Sequence, residues 1–210
     1  MGVLVGFGIS AAWWRPTVAD AEPVQGWPDA LPMRPDDLLA FRLGRLVVLL
    51  STVPGLPSAK PMDIERISLY DFFADNPFLV FGRDTAEHET LVLAGFDSRN
   101  LSYQSSAQRF SSRRERLQHD LAMLVAFGLA SATTDARRVV YTLTAVGTEQ
   151  SASFKSLYAQ AYRSSAALVG RELNRLSDRA LQLRTREWLR ADELLIDLFE
   201  TAPVDQEAPS

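Results

Sequence analysis

Across most of this chain the apolar residues recur at helical spacing, but one stretch breaks the repeat and so limits the folds open to the rest. Leu129 to Thr133 and Val139 to Leu143 are two short β-prone runs. Thr134, Asp135, Ala136, Arg137 and Arg138 lie between them with turn-forming and basic character, so the pair predicts a β-hairpin. Alternation in the second run is broken, and the turn residues carry more of that reading than periodicity does. Thr144 follows, placed to cap a new helix. Two strands among this many helices make the fold class mainly α, formally α+β.

Three strong helices are predicted ahead of the hairpin. From Asp36 onward Leu38, Leu39, Phe41, Leu43, Leu46, Val47, Leu49 and Leu50 recur at helical spacing, with Arg42 and Arg45 elsewhere on the circumference. This helix starts at Pro35, has Asp36 and Asp37 in the first turn where carboxylates favour the positive end of the dipole, and ends before Pro54 and Gly55. Asp63 can cap a second helix carrying Ile64, Ile67, Tyr70 and Phe73 on one face, and Asn76 and Pro77 stop it. Phe78 to Phe81 reads as a short strand and Thr85 to Leu93 as a short helix. Ser111 or Ser112 opens the third strong helix, with Glu115 completing a capping box, Leu117, Leu121, Leu124 and Val125 on one face, and Gly128 as its C-cap. After Thr144 a helix carries Phe154, Leu157, Tyr158, Ala161, Leu168, Val169, Leu173 and Leu176, and Ser177 and Asp178 restart a last one.

The ends have a different character. Five prolines from Pro16 to Pro35 forbid regular helix, so residues 1–35 read as a proline-rich N-terminal arm. Met1 to Trp14 is apolar, but it lacks the basic start of a secretory signal and meets Arg15 and Pro16 too early to span a bilayer. Trp13, Trp14 and Trp27 are costly to leave wet, so the arm is expected to pack on its own domain or on a partner. Residues 36–147 form the expected main domain, 148–200 a C-terminal helical hairpin, and 201–210 a disordered tail.

Composition narrows the function. Cysteine is absent, which excludes disulfides, thiolate metal sites and cysteine nucleophiles and makes the cytoplasm the default compartment. There is no glycine-rich phosphate loop, no Gly-x-Ser-x-Gly elbow and no His-Glu-x-x-His helix, so neither an enzyme nor a cofactor is expected. Glu87-His88-Glu89 reads as a solvated face and not as a metal site, and Asp71 with Asp75, at i and i+4, reads as a solvated helix edge. A net charge of −4 argues against wholesale nucleic-acid binding.

Helix, helix, helix, hairpin, helix is nonetheless the order of a winged helix-turn-helix core, in which the hairpin is the wing. Arg109, Arg113, Arg114 and Arg116 crowd the start of the third strong helix, and Arg137 and Arg138 occupy the wing tip. These six are the candidate contacts to double-stranded DNA, because guanidinium forks suit phosphates and guanine edges. Trp13, Trp14, Trp27, Trp188, Leu194, Leu195, Leu198 and Phe199 are the candidate partner interface. The last two helices, with a leucine stripe and alternating arginines, suit either another chain, including a homo-oligomer, or their own domain.

Tyr141-Thr142-Leu143-Thr144-Ala145-Val146-Gly147 resembles the wing of winged-helix families that end in Tyr-x-Leu-Thr-x-x-Gly. Together with Phe41-Arg42-Leu43-Gly44-Arg45-Leu46 and the run from Met62 to Pro77, it resembles the small winged-helix middle component of bacterial ABC three-component systems, which includes the accessory subunit of Lamassu-type anti-phage defence. The resemblance covers roughly Phe41 to Glu200. It implies an adaptor between an SMC- or Rad50-like ABC ATPase and an effector protein. The alternative expectation is a dimeric winged-helix transcription regulator that reads operator DNA.

Overall fold

A computed structural model describes residues 35–97 and 105–200, with side chains as far as Arg190. Trp13, Trp14 and Trp27, and the side chains of Leu194, Leu195, Leu198 and Phe199, all expected in a partner interface, lie outside the described residues. Seven α-helices and one hairpin follow in the order α1 (Leu39–Thr52), α2 (Ile64–Asp75), α3 (Ala86–Leu93), α4 (Ser106–Ala126), β1 (Ala130–Asp135), β2 (Arg138–Leu143), α5 (Ala145–Ser153), α6 (Leu157–Arg175) and α7 (Asp178–Glu200).

Local chemistry sets most boundaries. Asp63, Thr85, Ser105, Thr144 and Ser156 each stand before a helix and accept from the backbone N–H three residues on, which satisfies an orphan donor of the first turn. Gly128 ends α4 in the left-handed region at φ +67°. Four sequence expectations shift. Pro35–Asp37 forms a separate 3-10 turn ahead of α1. Pro77–Leu79 is likewise a 3-10 turn, and Phe78 to Phe81 forms no strand: the N–H groups of Leu79, Val80 and Phe81 donate back to the carbonyls of Asn76 and Pro77 and so are spent on local turns. Helix α4 begins six residues before Ser112, capped by Ser105, so Ser111 and Ser112 lie inside it. The helix after Thr144 breaks at Phe154, Lys155 and Ser156, where the Ser156 hydroxyl starts α6 afresh.

The hairpin is antiparallel, with Ala130 opposite Leu143 and Asp135 opposite Arg138. Its two-residue turn puts Ala136 (φ 44°) and Arg137 (φ 68°) in the left-handed region, where two-residue hairpin turns usually place Asn and Gly. The far edge of β2 is anchored by the chain entering α2: the Tyr141 N–H donates to the Met62 carbonyl at 2.9 Å, and Asp63 bridges Val140. At the hairpin base the Thr144 hydroxyl donates to the Gly128 carbonyl at 2.7 Å. A Cβ on Gly147 would lie 2.0 Å from the Leu129 carbonyl oxygen, so only glycine lets α5 pass this close to β1.

One core serves the whole described region. Leu46, Leu49, Ile67, Phe73, Leu121 and Leu124 are fully buried as expected, and Leu143 packs against them half-buried. Helix α6 lies against α1 and α2, contributing Tyr162, Val169 and Leu173. Its small buried residues Ala159, Ser165, Ala166 and Gly170 permit close approach; the Ser165 hydroxyl donates to the Ala74 carbonyl at 2.6 Å. Helix α7 packs on α4 and on the 3-10 turn at Pro77, with Leu181 buried and Trp188 edge-on to Phe73 at 5.0 Å. The core thus continues across residue 147 without interruption.

Candidate functional site

Charged side chains dominate the interior where α1, α2, α4 and α6 meet. Arg45, placed by the sequence away from the apolar positions of its helix, and Asp71, expected on a solvated helix edge, are 4% and 2% exposed. Arg45 precedes Leu46 to Leu50, which are all buried, so this central stretch of α1 turns no face to solvent. Its Nε and Nη2 donate to the two carboxylate oxygens of Asp71 at 2.8 and 3.2 Å, and its Nη1 donates to Asp36 at 2.6 Å. Arg113 enters from α4 and donates to Asp75 at 2.7 Å and to Asp36 at 3.3 Å. The Tyr162 hydroxyl, from α6, completes the shell of Asp71 at 2.8 Å. Aromatic faces cover the cations: Arg45 lies over Phe41 at 5.8 Å and Arg113 over Phe72 at 5.7 Å.

Burial is tolerable here because every charge has a partner and a hydrogen bond. Burial opposes ionisation of Asp36, but Arg45 and Arg113 outweigh it and hold the carboxyl below its usual range. Burial, reinforced by the Asp71 charge, pushes the Tyr162 hydroxyl well above the ordinary tyrosine value. At neutral pH these shifts keep Asp36 ionised and Tyr162 protonated. A second pair ties α1 to α4: Arg42 donates to both oxygens of Asp120 at 2.7 and 3.0 Å.

The six arginines singled out in the sequence therefore part company. Arg113 belongs to the junction. Arg109, half-buried, donates to Asn76 at 2.6 Å and to Ser106 at 2.9 Å. Arg114 is exposed and paired with Glu65, Arg116 stands 4.0 Å from Asp37, and Arg138 reaches Asp63 at 3.1 Å. Arg137, at the hairpin tip, is exposed and has no ion-pair partner among the described residues. Asp71 and Asp75 are not the solvated edge expected. His88 sits against the Phe78 ring at 4.5 Å, and the described residues hold no group of three or more side chains able to bind a metal.

A groove of about 860 Å³ opens between α2, α4, β2 and α7, with Ile64, Leu69, Tyr141 and Leu181 among its lining. Its charges are already matched: Arg114 with Glu65, Arg138 with Asp63, and buried Arg66 with Asp178. Behind it Arg66 donates to the Tyr70 hydroxyl, which donates to Asn174 at 2.6 Å, joining α2 to α6. No helix among the described residues is long and apolar enough to cross a membrane.

No curated protein and no solved structure matches this chain. A family model does, over residues 44–191, which takes in the hairpin, the first half of α7 and every junction residue except Asp36. The chain belongs to the Middle Component 2 family of ABC-three component (ABC-3C) systems.

Proposed function

We propose that this chain is a non-enzymatic winged-helix adaptor, working in the bacterial cytoplasm, that links an SMC- or Rad50-like ABC ATPase to an effector protein in a defence complex. The observation that carries the reading is membership of the Middle Component 2 family, which makes the chain one part of a multi-component ABC system. The winged-helix reading is supported by α1, α2 and α4 preceding a hairpin whose β2 is bonded to the entry of α2. The adaptor is favoured over a DNA reader by the fate of the arginines. Arg113 lies inside the molecule, and Arg114, Arg116 and Arg138 face carboxylates, so reaching phosphate would first break an ion pair.

Co-purification of the full chain with the ATPase and effector encoded beside it tests this, alongside a salt titration of fluorescent duplex DNA. The variant to use replaces Arg114, Arg116, Arg137 and Arg138 by Ala and leaves the core-facing Arg109 and Arg113 intact. The adaptor reading expects both proteins to co-purify with wild type and variant alike, and DNA binding to be weak. Tight duplex binding at physiological salt, lost in the variant with a flatter salt dependence, would establish the regulator instead.

A further inference from the structure

We propose that Asp36 is an internal stand-in for a carboxylate from outside the chain: the 3-10 turn that carries it lifts away, and Arg45 and Arg113 bind an incoming carboxylate in its place. The cradle is built from the core outward. Arg45 Nη1 and Arg113 Nη2 both aim at the Asp36 carboxylate, at 2.6 and 3.3 Å, and Arg42 Nη1 donates to the Asp36 main-chain carbonyl at 3.0 Å. Arg45 is buried and Arg113 nearly so, each lying over an aromatic ring. The Asp36 side chain, by contrast, is 38% exposed, so the mouth of the cradle opens to solvent.

The turn is fastened by charge and not by packing. No residue of Pro35–Asp37 is buried, and its side chains reach the body only through Asp36 and through Asp37, 4.0 Å from Arg116. Leu38, which joins the turn to α1, is extended (φ −85°, ψ 117°) and exposed, so rotation there swings the turn out without unwinding the helix. The remaining junction stands without it: Arg45 keeps both oxygens of Asp71, Arg113 keeps Asp75 and Arg42 keeps both oxygens of Asp120. What lifting leaves behind is a buried Arg45 N–H with its next acceptor, Asp75, at 3.8 Å, and the guanidiniums of Arg42, Arg45, Arg113 and Arg116 facing only Asp71, Asp75 and Asp120. An unmatched buried donor beside excess positive charge is unfavourable until an anion fills the gap. Two converging guanidinium N–H groups suit a carboxylate, and the Asp75 charge nearby disfavours a dianion such as phosphate. Asp36, being tethered, competes at an effective concentration on the order of 1 mM. A free acid must reach that range, whereas an acidic side chain of a docked protein is held there.

Thermal melting of full-length Asp36→Ala at pH 7 in rising sodium acetate tests the cradle. The variant should melt at least about 2 °C below wild type, and acetate should restore most of that loss saturably, while sodium chloride and sodium phosphate at equal ionic strength should not. Acetate that raises wild type and variant alike, without saturation, is a general salt effect and would overturn the proposal. Hydrogen exchange of wild type tests the displacement and needs no variant. Acetate should speed exchange of the Leu38 N–H, which donates to the Pro35 carbonyl at 3.0 Å, and leave the N–H groups of Val47 to Leu50 unchanged. A turn that stays equally protected at every acetate concentration would show that Asp36 is a fixed ligand and not a stand-in. Co-purification with the ATPase and effector encoded beside the chain separates the two sources of the carboxylate. Stronger retention by Asp36→Ala, reversed by acetate, assigns it to a partner's acidic side chain, and unchanged retention assigns it to a free acid. The melting and exchange measurements stand whether or not the adaptor reading holds.

Discussion

Replacing Asp71 by Asn tests whether the buried junction holds the helices together. Asn has nearly the same shape, so the change removes a charge without opening a cavity. Asp71 receives two hydrogen bonds from Arg45, at 2.8 and 3.2 Å, and one from Tyr162 at 2.8 Å. An amide accepts at one oxygen only, and its NH₂ would face a guanidinium N–H. With Arg45 only 2% exposed at its side chain, water cannot replace the lost carboxylate. The loss should match that of breaking a buried pair, about 3–5 kcal/mol, against a total stability of about 5–15 kcal/mol. The contrast is Glu65→Gln, whose pair with Arg114 is 62% and 49% exposed and should be worth about 0–1 kcal/mol. Asp120→Asn should fall between, its pair with Arg42 being 5% and 13% exposed. Urea denaturation followed by circular dichroism ranks the three. If Asp71→Asn costs under about 1 kcal/mol, or no more than Glu65→Gln, the burial argument is wrong.

Two further outcomes follow from other parts of the fold. Gly147→Ala should cost about 1–3 kcal/mol by thermal melting, because its Cβ meets the Leu129 carbonyl at 2.0 Å and backbone cannot yield; Gly170→Ala should cost less, since its 2.5 Å contact is the end of the Leu56 side chain, which can rotate. Stability should fall as pH rises above about 10, because unfolded Tyr162 ionises near its ordinary value while the folded hydroxyl, with its raised pKa, holds its proton. In Tyr162→Phe that alkaline loss should be shallower, read from urea midpoints across a pH series.

What the sequence made legible were features written in neighbouring residues. Asp63 and Thr144 cap the helices they were expected to cap, Gly128 closes α4, and the hairpin forms where turn residues separate two β-prone runs. The interior charges were not legible, because a buried arginine and a solvated one look alike until the partner is known. Arg45 finds Asp71 26 residues away, and Asp71 finds Tyr162 91 residues away. One local signal existed: five successive apolar residues after Arg45 imply a stretch of helix buried on every side, in which a neighbouring arginine is buried too. The α4 start was missed because Ser105 and Ser112 are equally good caps by type, and tertiary packing of Phe110 on Phe72 extends the helix backward. The α5–α6 break carries neither Gly nor Pro; only a serine marks it.

The junction also bears on how the molecule is reached from the unfolded chain. Its members are residues 36, 45, 71, 75, 113 and 162, so it closes only after segments far apart in sequence have met. Helices and hairpin are local and form early, whereas these contacts raise the contact order and fall late in folding. Until the last segment arrives, some of these charges face apolar surroundings without a partner. No fragment that omits α6 can therefore stand in for the whole, and binding regions mapped by deletion would report unfolding before they reported recognition.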